Sequence, residues 1–215
     1  RSLLMGIQGS MWTEFCNKPE EVEYLIFPRL AAVAEGAWTF PVYKDWDRFL
    51  AALDNFTGHL DVKGITYARS MYNIQHKVTP MDGSLQVELE CIRPDVEIRY
   101  TCDGTEPVAT SPLYEKPFTV DASTCVRAAT FAQDVQMGKT LTLDMQWNLA
   151  TGKREIANNG SAGVLTNGVR GSLRHTDSEW VGWYDQDATF VIDLGKKTPV
   201  SEVTLGCITN SGMAV

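Results

Sequence analysis

The stretch GIQGSMWTEF, residues 6–15, sets an indole and a carboxylate two positions apart, Trp12 and Glu14. A short apolar run, Leu3, Leu4, Met5 and Ile7, leads into it and reads as a buried strand. An indole offers a flat apolar face. A carboxylate accepts charge-assisted hydrogen bonds, roughly twice as strong as neutral ones. Two readings follow from the pattern: the pair lines a recess at a strand end, or Trp12 fills a core and Glu14 is a surface or helix-capping acid.

The other groups able to do chemistry form no convincing constellation. Glu20 and Glu21 fall at a predicted helix start, where carboxylates suit the positive end of the helix dipole. Asp45 and Asp47 flank Trp46 as candidate caps. Asp185 and Asp187 with nearby Glu179 could suggest calcium, but lack EF-hand spacing. The three histidines, His59, His76 and His175, stand at no zinc-ligand spacing from the five cysteines. Serine chemistry has no G-x-S-x-G context, and GKKTPV at 195–200 is not a phosphate-binding loop. No metal site and no cofactor is expected. Cys16, Cys91, Cys102, Cys125 and Cys207 include no C-x-x-C pair, and an odd count argues against a complete disulfide framework. One bridge among Cys91, Cys102 and Cys125 is the most the pattern allows; buried free thiols are the simpler expectation.

The 215 residues are 44% hydrophobic and 21% charged, an ordinary globular composition with room for one large or two small domains. A net charge of −8 excludes a duplex nucleic-acid binder, which needs a basic face, and gives no attraction to anionic lipid. No apolar run approaches the ~20 residues that span a bilayer. The chain opens on Arg1 without a signal-peptide pattern, and reads as a piece of something longer.

Three textures position these residues. Residues 1–72 read as a strand followed by helices, the pattern of an α/β fold. Asn17 is the expected cap of a helix through Pro19, Glu20 and Glu21; Pro28 interrupts it; a second helix runs to Trp38; a third fits Asp45 to Leu60. Residues 73–149 switch to period two. In SLQVELECI, Leu85, Val87, Leu89 and Cys91 point one way, and Asp103-Gly104 is a turn signal, as in a small β-sandwich. Residues 150–215 open on a soft stretch, ATGKREIANNGSAG, then give β runs at 188–194 and 200–208.

The combination of GIQGSMWTEF, EYLIFPRLAAVAEGAW and WDRFLAAL, spanning residues 3–69, resembles the last β/α unit of family 20 glycoside hydrolases, the β-N-acetylhexosaminidases. The resemblance implies the remnant of a (β/α)8 barrel. It also implies that Trp12 walls the pocket for a terminal N-acetylhexosamine and that Glu14 accepts hydrogen bonds from its hydroxyls. Active sites of such barrels lie at the C-terminal ends of the strands. The family's catalytic pair is an adjacent Asp-Glu on an earlier strand: the Glu is the general acid, and the Asp steers the substrate's acetamido nucleophile. This sequence contains no Asp-Glu dipeptide, so no catalytic residue is assigned and the piece alone is expected to be inactive.

IRYT, DGTEP, SPLY and CVRAATF resemble the small immunoglobulin-like β-sandwich that follows the barrel in chitobiases. Its expected role is a spacer, with Tyr100, Tyr114 or Phe118 as an alternative sugar surface. LTNG, the W-x-G-W segment and DATFVIDLGKKTPVSEV resemble the opening of a discoidin-type (F5/8 C) module, a β jelly roll; Trp180, Trp183 and Tyr184 are its candidate sugar platform. The implied parent is a secreted or periplasmic hexosaminidase whose partner is a glycan ending in N-acetylhexosamine. The alternative is a non-catalytic carbohydrate-binding or adhesion piece. A barrel remnant should also expose apolar surface, to be covered by an oligomer or by collapse of the helices.

Overall fold

The computed structural model describes residues 5–81, 83–160, 163–174 and 176–208. The chain divides into two units, Arg1–Arg69 and Ser70–Val215.

The first unit is helical: α1 (Pro19–Ile26), α2 (Arg29–Trp38) and α3 (Trp46–Lys63). Pro19 occupies the first position of α1, where its missing N–H is no loss. The N-cap is Lys18, one residue beyond the expected Asn17. Glu21 explains the shift: its Oε2 accepts from the backbone N–H of both Asn17, at 2.6 Å, and Lys18, at 3.2 Å. Pro28 separates α1 from α2 as expected. Asp45 caps α3 by accepting from Arg48 N at 2.7 Å, and Gly64 ends it with φ at +65°, a left-handed conformation natural to glycine. On α3, Leu50, Leu53, Thr57 and Leu60 form the buried stripe, and Phe56 packs on Phe27 with ring centroids 5.9 Å apart. Neither α1 nor α2 has a buried residue.

The expected opening strand is not found. Leu3 and Leu4 lie outside the described residues, and residues 5–13 have no strand pairing. A strand exists by its ladder, and the described residues of this unit offer no neighbouring strand to complete one.

The second unit is built of strands. β1 (Gln75–Met81), β2 (Ser84–Glu90) and β4 (Phe118–Val120) form one antiparallel sheet. β3 (Glu97–Thr101), β5 (Thr124–Ala132), β6 (Val135–Gln136) and β7 (Leu141–Met145) form a second, with β5 central. Ile74, Val78, Leu85, Val87 and Leu89 on one side and Val126, Ala128, Leu143 and Met145 on the other share one core. The expected alternation in β2 is present: Leu85, Val87 and Leu89 are buried while Gln86 and Glu88 are half-exposed. Pro80 sits in β1, an edge strand, where its missing donor does no harm.

Thr130 Oγ1, buried in β5, donates to Tyr72 O at 2.7 Å and accepts from Gly138 N at 3.0 Å. All five cysteines are free, so the possible bridge among Cys91, Cys102 and Cys125 is not formed. Burial raises the thiol pKa of Cys91 and of Cys102.

A third, two-stranded sheet pairs β8 (Arg154–Ala157) with β9 (Phe190–Asp193). β8 lies in the stretch read as soft, and residues 200–208, read as a strand, have no strand pairing. Both outcomes follow from partner availability: β8 has β9 as a neighbour, and 200–208 has none among the described residues. Among the described residues, no helix is long and apolar enough to cross a membrane.

Candidate functional site

Residues 5–13 lie along α2. A Cβ built on Gly36 would come 3.7 Å from Ile7 Cδ1, and one on Gly9 would come 3.9 Å from Val33 Cγ2. The segment ends in a turn closed by Cys16 N donating to Thr13 O at 3.0 Å. Trp12 and Glu14 flank Thr13, and both face water. Trp12 is 76% exposed, and Glu14 is exposed with no hydrogen-bond partner among the described residues. An open indole face thus stands beside a carboxylate whose lone pairs are all available. Phe15, Trp38, Phe40 and Tyr43 are exposed in the same unit.

The aromatic residues weighed as sugar surfaces elsewhere are mostly committed to packing. Tyr100 stacks on Phe118 at 4.6 Å between centroids, and Tyr114 meets both rings edge-on. The Tyr114 hydroxyl accepts from Leu89 N at 3.0 Å. These rings are half-buried and pack against the sandwich core. Trp180 Nε1 donates to Ser172 O at 2.7 Å, and Trp183 Nε1 donates to Asn158 Oδ1. Both indoles are half-buried; of the expected trio, Tyr184 alone stands in solvent.

Glu179 is not assembled with Asp185 and Asp187. Its Oε1 lies 2.8 Å from His76 Nε2 on β1, and its Oε2 accepts from Asn167 Nδ2. Among the described residues, no three His, Cys, Asp or Glu side chains converge to hold a metal ion. The Asn167–Glu179–His76 chain ties residues 167–180 to the first sheet. Val169 also bridges to Met145, and Gln146 N donates to Gly168 O at 2.8 Å. Asp177 stiffens this segment by accepting from Ser172 N at 2.9 Å and Glu179 N at 3.2 Å. Burial pushes its carboxyl pKa up. The hydrogen bonds from Ser172 and Glu179, with His76 nearby, outweigh burial and hold it below the ordinary range. Sequence reasoning missed this arrangement because His76 and Glu179 are 103 positions apart and belong to no shared motif.

Two open cavities lie in the strand-built unit. A cleft of about 550 Å³ is lined by His76, Thr142, Val169, Arg170, Ser172 and Arg174, among others. A second, of about 600 Å³, runs past Thr79, Pro80, Met81, Lys153 and Glu155. Glu155 is 9% exposed, and among the described residues neither of its buried carboxylate oxygens has a hydrogen-bond partner.

Two family models match the chain. Residues 1–41 match the glycosyl hydrolase family 20 catalytic domain, and residues 81–142 match the chitobiase/beta-hexosaminidase C-terminal domain. A beta-hexosaminidase of Porphyromonas gingivalis is 34% identical over 122 residues, a match taking in 53% of this chain and 15% of the relative. A beta-N-acetylhexosaminidase of Cellulomonas fimi is 46% identical over 46 residues, 21% of this chain and 9% of the relative. A beta-hexosaminidase of Vibrio vulnificus is 44% identical over 34 residues, 16% of this chain and 4% of the relative. The chain therefore spans a small part of the length of each relative it matches.

Proposed function

We propose that this chain is part of a β-N-acetylhexosaminidase that releases terminal N-acetylhexosamine from glycans, and that Trp12 and Glu14 form one wall of its sugar pocket. The observation that carries the reading is the match of residues 1–41 to a family 20 catalytic domain, in the segment that leaves both side chains open. Pyranose rings present C–H faces suited to an indole and hydroxyl rims suited to a carboxylate. The Asp-Glu pair that performs the reaction, with the substrate's acetamido group as nucleophile, belongs to the rest of the catalytic domain.

On this reading the sandwich of β1–β7 is an immunoglobulin-like spacer, and β8 and β9 open a discoidin-type jelly roll. The whole enzyme acts where glycans are, outside the cytoplasm or in the periplasm. The exposed aromatic residues of 1–69 are covered there by the remainder of the barrel.

The test uses both the 215-residue chain and the whole enzyme. The chain alone should release no p-nitrophenol from the N-acetylglucosaminide. In the whole enzyme, Trp12→Ala and Glu14→Ala should each lower kcat/KM more than tenfold. For Glu14 that corresponds to one charge-assisted hydrogen bond, about 1.5–3 kcal/mol. Activity of the isolated chain, or wild-type efficiency in both variants, would refute the assignment.

A further inference from the structure

We infer that the cleft beside the Asn167–Glu179–His76 chain binds a saccharide carrying an oxyanion, a carboxylate or a sulfate ester, through Arg170 and Arg174. The argument begins with charge. In a chain of net charge −8, three arginines of the strand-built unit each have an acid: Arg93 pairs with Asp95, Arg99 with Glu97 and Arg127 with Glu106. Arg170 and Arg174 line one cleft, yet among the described residues neither guanidinium has an ion-pair or hydrogen-bond partner.

The carboxylates of the same cleft do not answer them. Asp177 is turned to the N–H groups of Ser172 and Glu179, and Glu179 to His76 and Asn167. What remains open is a set of donors. The two guanidiniums each present a planar fork that fits a carboxylate or sulfate through two parallel hydrogen bonds. The hydroxyls of Thr142, Ser172 and Thr176 also line the cleft, and Val169 adds an apolar wall. Donors for an oxyanion, hydroxyls for hydroxyls and a patch for C–H groups suit an acidic sugar. The volume of about 550 Å³ falls within the range of small-molecule sites.

The test is calorimetric titration of the full 215-residue chain with N-acetylglucosamine 6-sulfate, glucuronic acid, neutral N-acetylglucosamine and inorganic sulfate. One of the two charged sugars should bind, and which one identifies the oxyanion. The neutral sugar and inorganic sulfate should each bind at least tenfold more weakly. The Arg170→Ala/Arg174→Ala double variant should lose at least tenfold in affinity with an unchanged Tm, since both side chains are exposed. Raised salt should weaken binding of the charged sugar. The inference is overturned if neither charged sugar binds, if inorganic sulfate binds as well as the sugar, or if binding survives the double substitution. Trp12→Ala should leave this binding untouched, so the result stands apart from the pocket assignment.

Discussion

The two units of this chain distribute their apolar residues in opposite ways. In Ser70–Val215, strands from two sheets bury Leu85, Val87, Val126 and Leu143 to 2% exposure or less. In Arg1–Arg69, one face of α3 is buried, while Trp12, Phe15, Trp38 and Phe40 are each more than 70% exposed. Globular proteins seldom leave large aromatic side chains so open without a partner surface. The strand-built unit closes its own core; the helical unit buries one stripe of α3 and leaves these large rings in solvent.

The sharpest way to break this contrast is truncation at one site in each unit. Leu85→Ala should destabilise the strand-built unit by about 2–5 kcal/mol, because it deletes fully buried methyl groups and leaves a cavity. Trp38→Ala should change stability by less than about 0.5 kcal/mol, since that indole is 86% exposed. Urea denaturation of both variants would check the pair. A large loss at Trp38 would mean that the helical unit has a closed core after all.

A smaller effect of opposite sign is expected at Glu155. Its buried carboxylate has no hydrogen bond among the described residues, so Glu155→Leu should stabilise the unit by about 1–3 kcal/mol, read as a raised Tm. The neighbouring inward position on β9 is Ile192, already apolar. A lower Tm would show that the carboxylate has a function in holding β8 and β9 against the sandwich.

The smallest effect concerns the segment tied down by Asp177. A carboxyl held below its ordinary pKa adds stability above its unfolded value, near pH ~4, and that stability is lost as pH falls through the depressed folded value. Protection of the Ser172 and Glu179 amides from exchange, relative to their intrinsic rates, should therefore fall as the solution is acidified below about pH 4. The core amides of β2 and β5 should lag behind. Asp177→Asn should remove the difference.

The parts of this fold legible in the sequence are those whose cause is local. The proline at 28 and the cap at Asp45 place two helix boundaries, and period two in β2 assigns its buried face, whereas α3 runs past the expected end at Leu60 to Lys63. Residues 5–13, β8 and residues 200–208 were illegible for one reason: a strand depends on a neighbour that local sequence does not name. Trp12 and Glu14 were singled out through motif and spacing, and the structure leaves both side chains open to water. Asn167, Glu179 and His76 were not, because their contact is made only by the fold. The unpaired state of Arg170 and Arg174 likewise depends on where the acids of the cleft turn.

Gly138 sits against the start of the strand-built unit. A Cβ there would fall 2.3 Å from Tyr72 O and 2.9 Å from Thr130 Oγ1, closer than van der Waals contact with either atom. The collision is with main chain, which cannot swing aside as a side-chain tip can. Even alanine would have to wedge residue 72 away from β5 and cut both bonds of the shared hydroxyl. Any library of variants that keeps this domain folded should therefore return a single amino acid at position 138, whatever it tolerates on either side.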